Sequence, residues 1–405
     1  MSKTKLSKYR WVVLAASVAI MFTVWGLGNH PIALYSVPVT QQYGFPRSLF
    51  AVIFSIINLF TALGNLAFGS AIKRMGIKRV MVMGSVLAVL AYLLFYLATA
   101  LPVFYIAAAL FGLALAFVTN SPVSVLVNNW FGASKGTALG IVFAASGLGG
   151  TICDIFVGRL INSAGFKASF GISAIIITVV LVLAMLVIRP RPASRLEGKA
   201  DTNEAEIKVE GLTLKQALRT PSFWLMTVTE ALWGFSIIPI VATMPSYFSD
   251  KGFDPLFVSG VVMASLYAVS AVSKLGLGFV NDKLGSVTML LIICPAGAIA
   301  TAMLTMVSSP AWAVASAVCM GIAFSCMTIP VPLLTSSIFG NREYGTLIGI
   351  FSAVLTLAGA IGAPVTNMVF DLAGTYLPVF WVQAVFFALS AVTAILAIKL
   401  KPKIA

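Results

Sequence analysis

Charge is what this sequence has least of. Only 9% of its 405 residues are Asp, Glu, Lys or Arg, whereas a soluble domain carries about 25%. Hydrophobic residues make up 60% of the chain, and its mean hydropathy is +1.03. This composition excludes a soluble globular protein and indicates one that lies in a membrane.

Residues that build catalytic or metal sites are also scarce. There is one histidine, and the four cysteines lie in apolar segments without metal-ligand spacing: Cys153, Cys294, Cys319 and Cys326. We interpret these thiols as small packing residues. The sequence shows no catalytic triad and no paired catalytic carboxylates, so it predicts neither an enzyme nor a cofactor or metal site.

Long apolar runs are what the chain has in abundance. A membrane-spanning helix needs about 20 predominantly apolar residues. The runs long enough are 10–35, 47–71, 79–99, 102–126, 136–163, 168–189, 221–248, 255–281, 287–307, 311–338, 345–371 and 376–398. They predict an all-α membrane protein with twelve transmembrane helices. The first run is too long for a signal-peptide core and has no small-residue cleavage site, so we expect it in the mature protein.

The net charge of +14 is distributed as in a multi-pass membrane protein. Basic residues concentrate at both termini and in the even-numbered loops, as in "MSKTKLSKYR", "KRMGIKR" and "KLKPK". Cytoplasmic loops carry such an excess, so we expect a cell (cytoplasmic) membrane protein with both termini in the cytoplasm. The lipid bilayer explains the basic loops, and a nucleic-acid partner is not expected.

Hydrophobicity collapses in the middle of the chain. The sequence therefore predicts an N-terminal six-helix bundle over 1–189, a cytoplasmic linker over 190–220 and a C-terminal six-helix bundle over 221–405. The linker ends in "LTLKQALRT", which fits either a short amphipathic surface helix or a solvated connection. It is too short and polar to form a partner-binding domain.

The two halves repeat each other. Residues 136–165 align without gaps on 345–374, at an offset of 209, with ten of 30 positions identical. "GSAIKRMGIKR" (69–79) corresponds to "GFVNDKLGSVT" (278–288), and Pro122 and Pro330 occupy corresponding places in the two halves, 208 positions apart. An even number of helices separates the copies, so they predict parallel repeats with a substrate site near mid-membrane between them.

Glycines and prolines predict how these helices pack. Small residues let helix backbones approach closely, and they are frequent in the fifth and eleventh runs: Gly136, Gly140, Gly147, Gly149, Gly150, Gly345, Gly349, Gly359 and Gly362. We expect close helix contacts there, and kinks at Pro122, Pro330 and Pro332.

These repeats carry a family resemblance. "GSAIKRMG" and "GFVNDKLG" resemble the two copies of the Gly-x-x-x-Asp-Arg-x-Gly signature of the major facilitator superfamily, as "GAIGAPVTNMVFDLAGTY" (359–376) resembles its eleventh helix. Within it, "RWVVLAASVAI", "FPRSLFAVIFSI" and "NNWFGASKGTALGIVFAASGLGG" resemble the monocarboxylate porters and the oxalate/formate antiporter group. The resemblance implies a gating role for Gly69, Arg74, Gly76, Gly278, Asp282 and Lys283.

Two positions depart from that pattern. Lys73 stands at the acid position of the first signature copy, which puts the gate pairing there in doubt. Lys274 stands where the monocarboxylate and oxalate carriers place an arginine.

Few ionisable residues lie inside the runs, and such residues face a partner or a cavity rather than lipid. They are His30, Asp154, Arg159, Glu230 and Lys274. The predicted substrate-binding residues are Lys274, Glu230, Asn29, His30 and Asn65, and the predicted proton-coupling residues are Asp154 and Glu230. Arg159 is expected at the outer interface, and His30 is either a hydrogen-bonded helix-end residue or a proton relay.

Lys274 and Glu230 are expected at one depth, about 12 and 13 Å from the cytoplasmic face at ~1.5 Å per helical residue. They form either a binding site or a structural ion pair.

The sequence therefore predicts a monomeric secondary transporter of a small organic anion such as a monocarboxylate. Proton coupling or anion exchange would drive it through alternating access. The alternative is an efflux carrier for amphipathic or neutral compounds, favoured if Glu230 fully neutralises Lys274. A membrane sensor is the third reading, and the short linker argues against it.

Overall fold

The computed structural model describes residues 3–132, 134–189, 210–254 and 257–402. Every regular element in these ranges is helical, and one isolated β-bridge joins Gly211 to Gly340. Of the predicted 190–220 linker, residues 190–209 lie outside the described part of the chain.

Twelve helical segments cross the bundle, and several extend beyond the apolar runs. They are α1 (3–43), α2 (Arg47–Met75), α3 (Ile77–Leu97), α4 (Leu101–Trp130), α5 (135–164), α6 (166–187), α7 (Pro221–Asp250), α8 (Val258–Leu284), α9 (Ser286–Thr305), α10 (310–339), α11 (Tyr344–Ala373) and α12 (Leu377–Lys399).

Helices α5 and α6 form one helical run, Lys135–Val187, that a single glycine divides. At Gly165 the backbone has φ 81° and ψ 163°, a conformation that glycine adopts without steric cost. An uninterrupted helix of 53 residues would be ~80 Å long, far more than the ~30 Å hydrocarbon core. The interruption therefore makes two crossings, and the twelve-helix prediction holds.

Four of the spanning helices contain irregular stretches. Helix α8 begins with a π-helical stretch, Val258–Met263. Helix α1 has a π-helical stretch, Met21–Asn29, followed by a 3₁₀ stretch, His30–Tyr35. Helices α4 and α10 break at Thr119 and Thr328, which lie at the repeat offset of 209 residues. Pro122 and Pro330 follow these breaks, as expected, because proline lacks the N–H that would continue the helical ladder.

The halves meet along two helix pairs, α5 with α8 and α2 with α11. We call the end of the bundle that carries the turns at Gly76 and Gly285 the linker face, because residues 210–217 also lie there. The other end, with the turns at Gly165 and Gly374, is the opposite face.

The end of the linker is attached to the turn between α10 and α11. Leu212 N donates to Phe339 O at 2.9 Å, and Asn341 N donates to Glu210 O at 2.9 Å. A capping box between Thr213 and Gln216 then starts a helix of only four residues, Leu214–Ala217. Of the two alternatives for this segment, a surface helix or a solvated connection, the structure shows a single helical turn held against the second half of the chain.

Candidate functional site

Close backbone contact between α5 and α8 positions the central side chains. A Cβ added to Gly140 would lie 2.6 Å from the Lys274 carbonyl oxygen, and one added to Gly278 would overlap the Gly136 carbonyl oxygen. Only glycine fits at these places, as the glycine pattern predicted. The contact brings the Lys274 backbone directly against α5.

Lys274 is buried, with 3% of its surface exposed. Its Nζ donates to Ser146 Oγ at 3.3 Å, and that hydroxyl donates to Phe143 O at 2.7 Å. The Nζ also lies 5.6 Å from the centroid of the Phe324 ring. No carboxylate of the described residues is within 4.0 Å. A hydroxyl and a ring face stabilise an ammonium less than an anion does, so this cation can accept an anionic ligand.

Glu230 does not neutralise Lys274. It is fully buried, and neither carboxylate oxygen has a hydrogen-bond partner. A structural ion pair was one of the two alternatives, because both residues have similar depth on consecutive helices, but α7 packs on α11 and α12 whereas α8 packs on α5. Depth follows from counting residues; the direction in which a side chain points does not.

His30 lies at the start of the 3₁₀ stretch of α1 and packs between α5 and α8. A Cβ on Gly150 would come within 2.9 Å of its ring. Its ring stands edge-on to Tyr267, with centroids 5.5 Å apart, and 6.2 Å from Trp25. Tyr267 in turn contacts Phe324, the ring that faces Lys274, with centroids 6.0 Å apart. The structure therefore brings together two of the predicted binding residues.

Asp154 lies one turn beyond Gly150 on α5. Its Oδ1 is buried without a hydrogen-bond partner, and the carboxyl is within electrostatic range of the Tyr267 hydroxyl. Tyr267 precedes Lys274 by two helical turns and so shares its face of α8. Asp154, Tyr267, His30 and Lys274 thus line one continuous seam between the halves.

Sequence reasoning missed four residues of this seam: Trp25, Ser146, Tyr267 and Phe324. Tyr267 had a signal in its seven-residue spacing from Lys274. The other three come from α1, α5 and α10, and no local pattern connects them with the lysine.

The remaining predicted site residues are Asn29, Asn65 and Arg159, and each has a different position. Asn29 is half-buried next to His30, at the end of the π-helical stretch. Asn65 belongs to the other seam, because its Oδ1 accepts from Ser121 Oγ at 2.9 Å, which is itself 3.4 Å from Ser352 Oγ. Arg159 is exposed and does not join the cluster.

On the linker face, Asp282 holds the start of α5. It accepts hydrogen bonds from Gly136 N at 2.9 Å, Thr137 N at 2.7 Å and Thr137 Oγ1 at 2.8 Å. A carboxylate at a helix N-terminus satisfies free N–H groups and complements the helix dipole. Asp282 therefore ties α8 of one half to α5 of the other.

The first signature copy makes the equivalent link with opposite charge. Lys73 lies 209 positions before Asp282, and its Nζ is 2.9 Å from Glu343 Oε1. Glu343 immediately precedes α11, the repeat partner of α5, and its Oε2 accepts from Leu214 N at 3.0 Å. Among the described residues this is the only ion pair. Lys73 therefore still links the two halves, because its acidic partner Glu343 stands at the start of the facing helix α11.

Further contacts close the linker face. Lys135 Nζ donates to Ser336 Oγ at 2.6 Å, and Asn128 Nδ2 donates to Asn341 Oδ1 at 2.9 Å. A Cβ on Gly69 would lie 2.6 Å from Thr346 Cα. The halves are therefore in direct contact at this end of the bundle.

The other residues of the signature have simpler positions. Gly76 turns the chain between α2 and α3 with φ 78°, as Gly285 does between α8 and α9 with φ 86°. Arg74 and Lys283 are exposed.

Two six-helix repeats that meet along a seam are the architecture of many membrane carriers. The sequence model described as "Major Facilitator Superfamily" matches residues 14–363. The chain belongs to this superfamily, whose members are transporters.

Its relatives include proteins named for efflux. The chain is 25% identical over 320 residues to "Agnestins efflux protein AgnL12" of Paecilomyces divaricatus, covering 77% of this chain and 70% of that protein. It is 25% identical over 378 residues to "Aspyridones efflux protein apdF" of Emericella nidulans, covering 91% and 73%.

Solved structures share the fold. The E. coli fucose:proton symporter FucP superposes with a TM-score of 0.76 at 16% identity, covering 96% of this chain and 99% of that one. The proton:xylose symporter XylE superposes with a TM-score of 0.76 at 15% identity, covering 96% and 95%. At this identity the likeness concerns architecture alone.

Proposed function

We propose that this protein exports amphipathic organic compounds that carry an anionic group. The observation that carries the proposal is Lys274, a buried ammonium between the halves whose contacts are a hydroxyl and an aromatic ring. A buried charge without a counter-charge is costly. A carboxylate or similar group arriving in the seam supplies that counter-charge.

The walls around Lys274 favour an amphipathic ligand. Phe324 faces the ammonium, and ring contacts continue from it to Tyr267, His30 and Trp25. Aromatic rings contribute large apolar area together with polar tips. A ligand with one anionic end and an apolar or aromatic body matches this arrangement. The relatives named for efflux support the outward direction.

A small monocarboxylate is the second candidate. Lys274 provides the same counter-charge for a carboxylate without an apolar body, and the resemblance to the monocarboxylate and oxalate/formate carriers rests on short stretches around α1, α2 and α5. Asp154 and Glu230 are the proposed proton carriers in either case, because each has buried carboxylate oxygen without a hydrogen-bond partner.

Contacts at the linker-face end of the seam are the ones that alternating access would break and re-form. In this state the linker face is held by Asp282 on α5 and by Lys73 on Glu343. We propose that ligand binding in the seam and release of these links alternate. The proposed transporter acts as a monomer in the cytoplasmic membrane with both termini inside. A cysteine introduced within residues 190–209 should then resist labelling from outside intact cells.

Flux into and out of proteoliposomes tests the proposal. The panel contains lactate, pyruvate, formate, oxalate, aromatic acids and a longer amphipathic acid, each with its neutral amide, with and without a pH gradient. Lys274→Gln should weaken transport of the preferred acid by about 30-fold or more, the loss expected when one partner of a buried charge pair is removed. Lys274→Arg should retain binding with altered selectivity, because guanidinium is a planar fork and ammonium a point charge.

Lys399→Gln is the matched control, since it removes an exposed lysine at the end of α12 in the same half. Transport of the amphipathic acid but not of lactate or formate would support export of amphipathic compounds, and the reverse would support the second candidate. Equal transport of acids and amides, unchanged in Lys274→Gln, would contradict both.

A further inference from the structure

The outer surface of the first half has an apolar groove between α3 and α6. Two neighbouring cavities form it, of about 560 and 610 Å³, and they share Val89 and Thr178. The groove runs from Lys78 at the linker face to Tyr96 near the other end of α3. These residues are ~27 Å apart along the helix, close to the ~30 Å hydrocarbon thickness.

The walls of the groove are mainly aliphatic, and the hydroxyls of Ser85 and Thr178 are not available to a ligand. Two of its hydroxyls are already satisfied within their own helices, since Ser85 Oγ donates to Met81 O at 2.8 Å and Thr178 Oγ1 donates to Ala174 O at 2.7 Å. The third hydroxyl, that of Tyr96, lies at the end of the groove away from Lys78. The exposed walls are aliphatic, with Val86 on α3 and Val182 on α6 each 53% exposed. Such a surface fits a hydrocarbon chain and offers nothing to a polar ligand.

The linker-face end of the groove is positive. Lys78 is its one charged lining residue, and no carboxylate of the described residues is within 4.0 Å of it. Arg79 and Arg74 lie exposed nearby. The other half lacks this feature, because Val287 and Thr288 stand at the positions equivalent to Lys78 and Arg79. The cation is therefore a property of this groove and not of the repeat.

We propose that this groove is a binding site for one anionic phospholipid of the linker-face leaflet. An acyl chain lies between α3 and α6 in the cavity nearest Lys78, and the phosphate of the headgroup pairs with the Lys78 ammonium. Basic pockets between helices on one membrane side bind anionic headgroups in this way. The site is separate from the transport seam, because α3 and α6 pack on the first half alone and Lys274 lies between the halves.

Lipid retention on the purified full-length protein tests the proposal. The protein is delipidated in detergent, then titrated with phosphatidylglycerol or phosphatidylcholine of identical acyl chains, and bound lipid is counted by native mass spectrometry. Wild-type protein should bind one phosphatidylglycerol more tightly than phosphatidylcholine. Lys78→Gln should reduce this preference about fivefold, the effect of one interfacial cation. Val86→Trp, which fills the groove from its exposed side, should weaken binding of both lipids.

Arg79→Gln is the matched control, because Arg79 is a neighbouring exposed cation that does not line the groove. Equal loss in Lys78→Gln and Arg79→Gln would show diffuse surface attraction and overturn the site. Unchanged binding in Val86→Trp would place the lipid elsewhere. Displacement of the lipid by a transported acid, or loss of binding on dimerisation, would assign the groove to substrate or to a second copy and also overturn the proposal. Monodisperse size-exclusion profiles confirm that each variant is folded.

Discussion

Lys73 occupies in the first half the position that Asp282 occupies in the second, and each holds the start of a helix in the opposite half. Asp282 accepts N–H groups of α5, whereas Lys73 lies 2.9 Å from Glu343 at the start of α11. The two links are equivalent in place and opposite in charge. We propose that together they form a paired gate at the linker face.

Replacing Lys73 with the acid typical of the signature should open this gate. Lys73→Asp places a carboxylate opposite Glu343, so repulsion replaces attraction, while Lys73→Gln only removes the attraction. Lys73 is 51% exposed, and an exposed pair contributes about 1 kcal/mol at most. Distances between spin labels at positions 79 and 215 should lengthen more in Lys73→Asp than in Lys73→Gln. Lys399→Gln, at an exposed lysine of α12 that has no role in the gate, should leave them unchanged, and an equal response of all three variants would contradict the gate.

Acid should weaken the same link. Burial raises the pKa of Glu343, but hydrogen bonds from Lys73 and Leu214 N–H, together with the charges of Lys73 and Arg342, more than offset this and leave the pKa below its ordinary value of 4.5. Because its pKa is lowered on closing, the ionised Glu343 carboxylate stabilises the closed gate fully above pH ~4.5. This stabilisation is lost as the pH falls through the lowered pKa. The label distance should therefore hold at neutral pH and lengthen only in acid. In Glu343→Gln, this pH dependence should be absent.

A methyl group in the α5–α8 seam should block closure. In Gly278→Ala the new Cβ overlaps the Gly136 carbonyl oxygen, and overpacking of this kind costs about 1–3 kcal/mol. Gly276→Ala is a matched control on the same helix, since a Cβ there meets nothing within 4 Å. We expect Gly278→Ala to reach the membrane but lose most transport, and Gly276→Ala to transport normally. Normal transport by both variants would show that the seam can separate without cost.

Neutralising the buried acids should uncouple transport from protons. Glu230 is fully buried and both of its oxygens lack partners, so an ionised form would be costly there. Glu230→Gln keeps the shape of a protonated carboxyl and should fold normally. Accumulation driven by a pH gradient should disappear in Glu230→Gln or in Asp154→Asn, while exchange between equal pools continues. Full pH dependence in both variants would place the coupling elsewhere.

The sequence by itself determined the twelve helices and their division into two repeats. Hydrocarbon offers no hydrogen bonds, so an apolar run of sufficient length must be helical, and the offset of 209 residues is visible without coordinates. It also indicated where backbones touch, because positions such as Gly136 and Gly140 carry the only residue that permits the contact. The helix breaks before Pro122 and Pro330 follow from proline chemistry in the same local way.

Tertiary structure decided which side chains meet. Counting residues gave Lys274 and Glu230 a common depth, but the packing of α8 on α5 and of α7 on α11 directs them to different neighbours. The tertiary structure likewise brings Lys73 to Glu343, which is 270 positions away in the chain. No pattern around either residue indicates this partner. Periodicity along one helix fixes height and spacing, whereas rotation about the helix axis depends on contacts with every other helix.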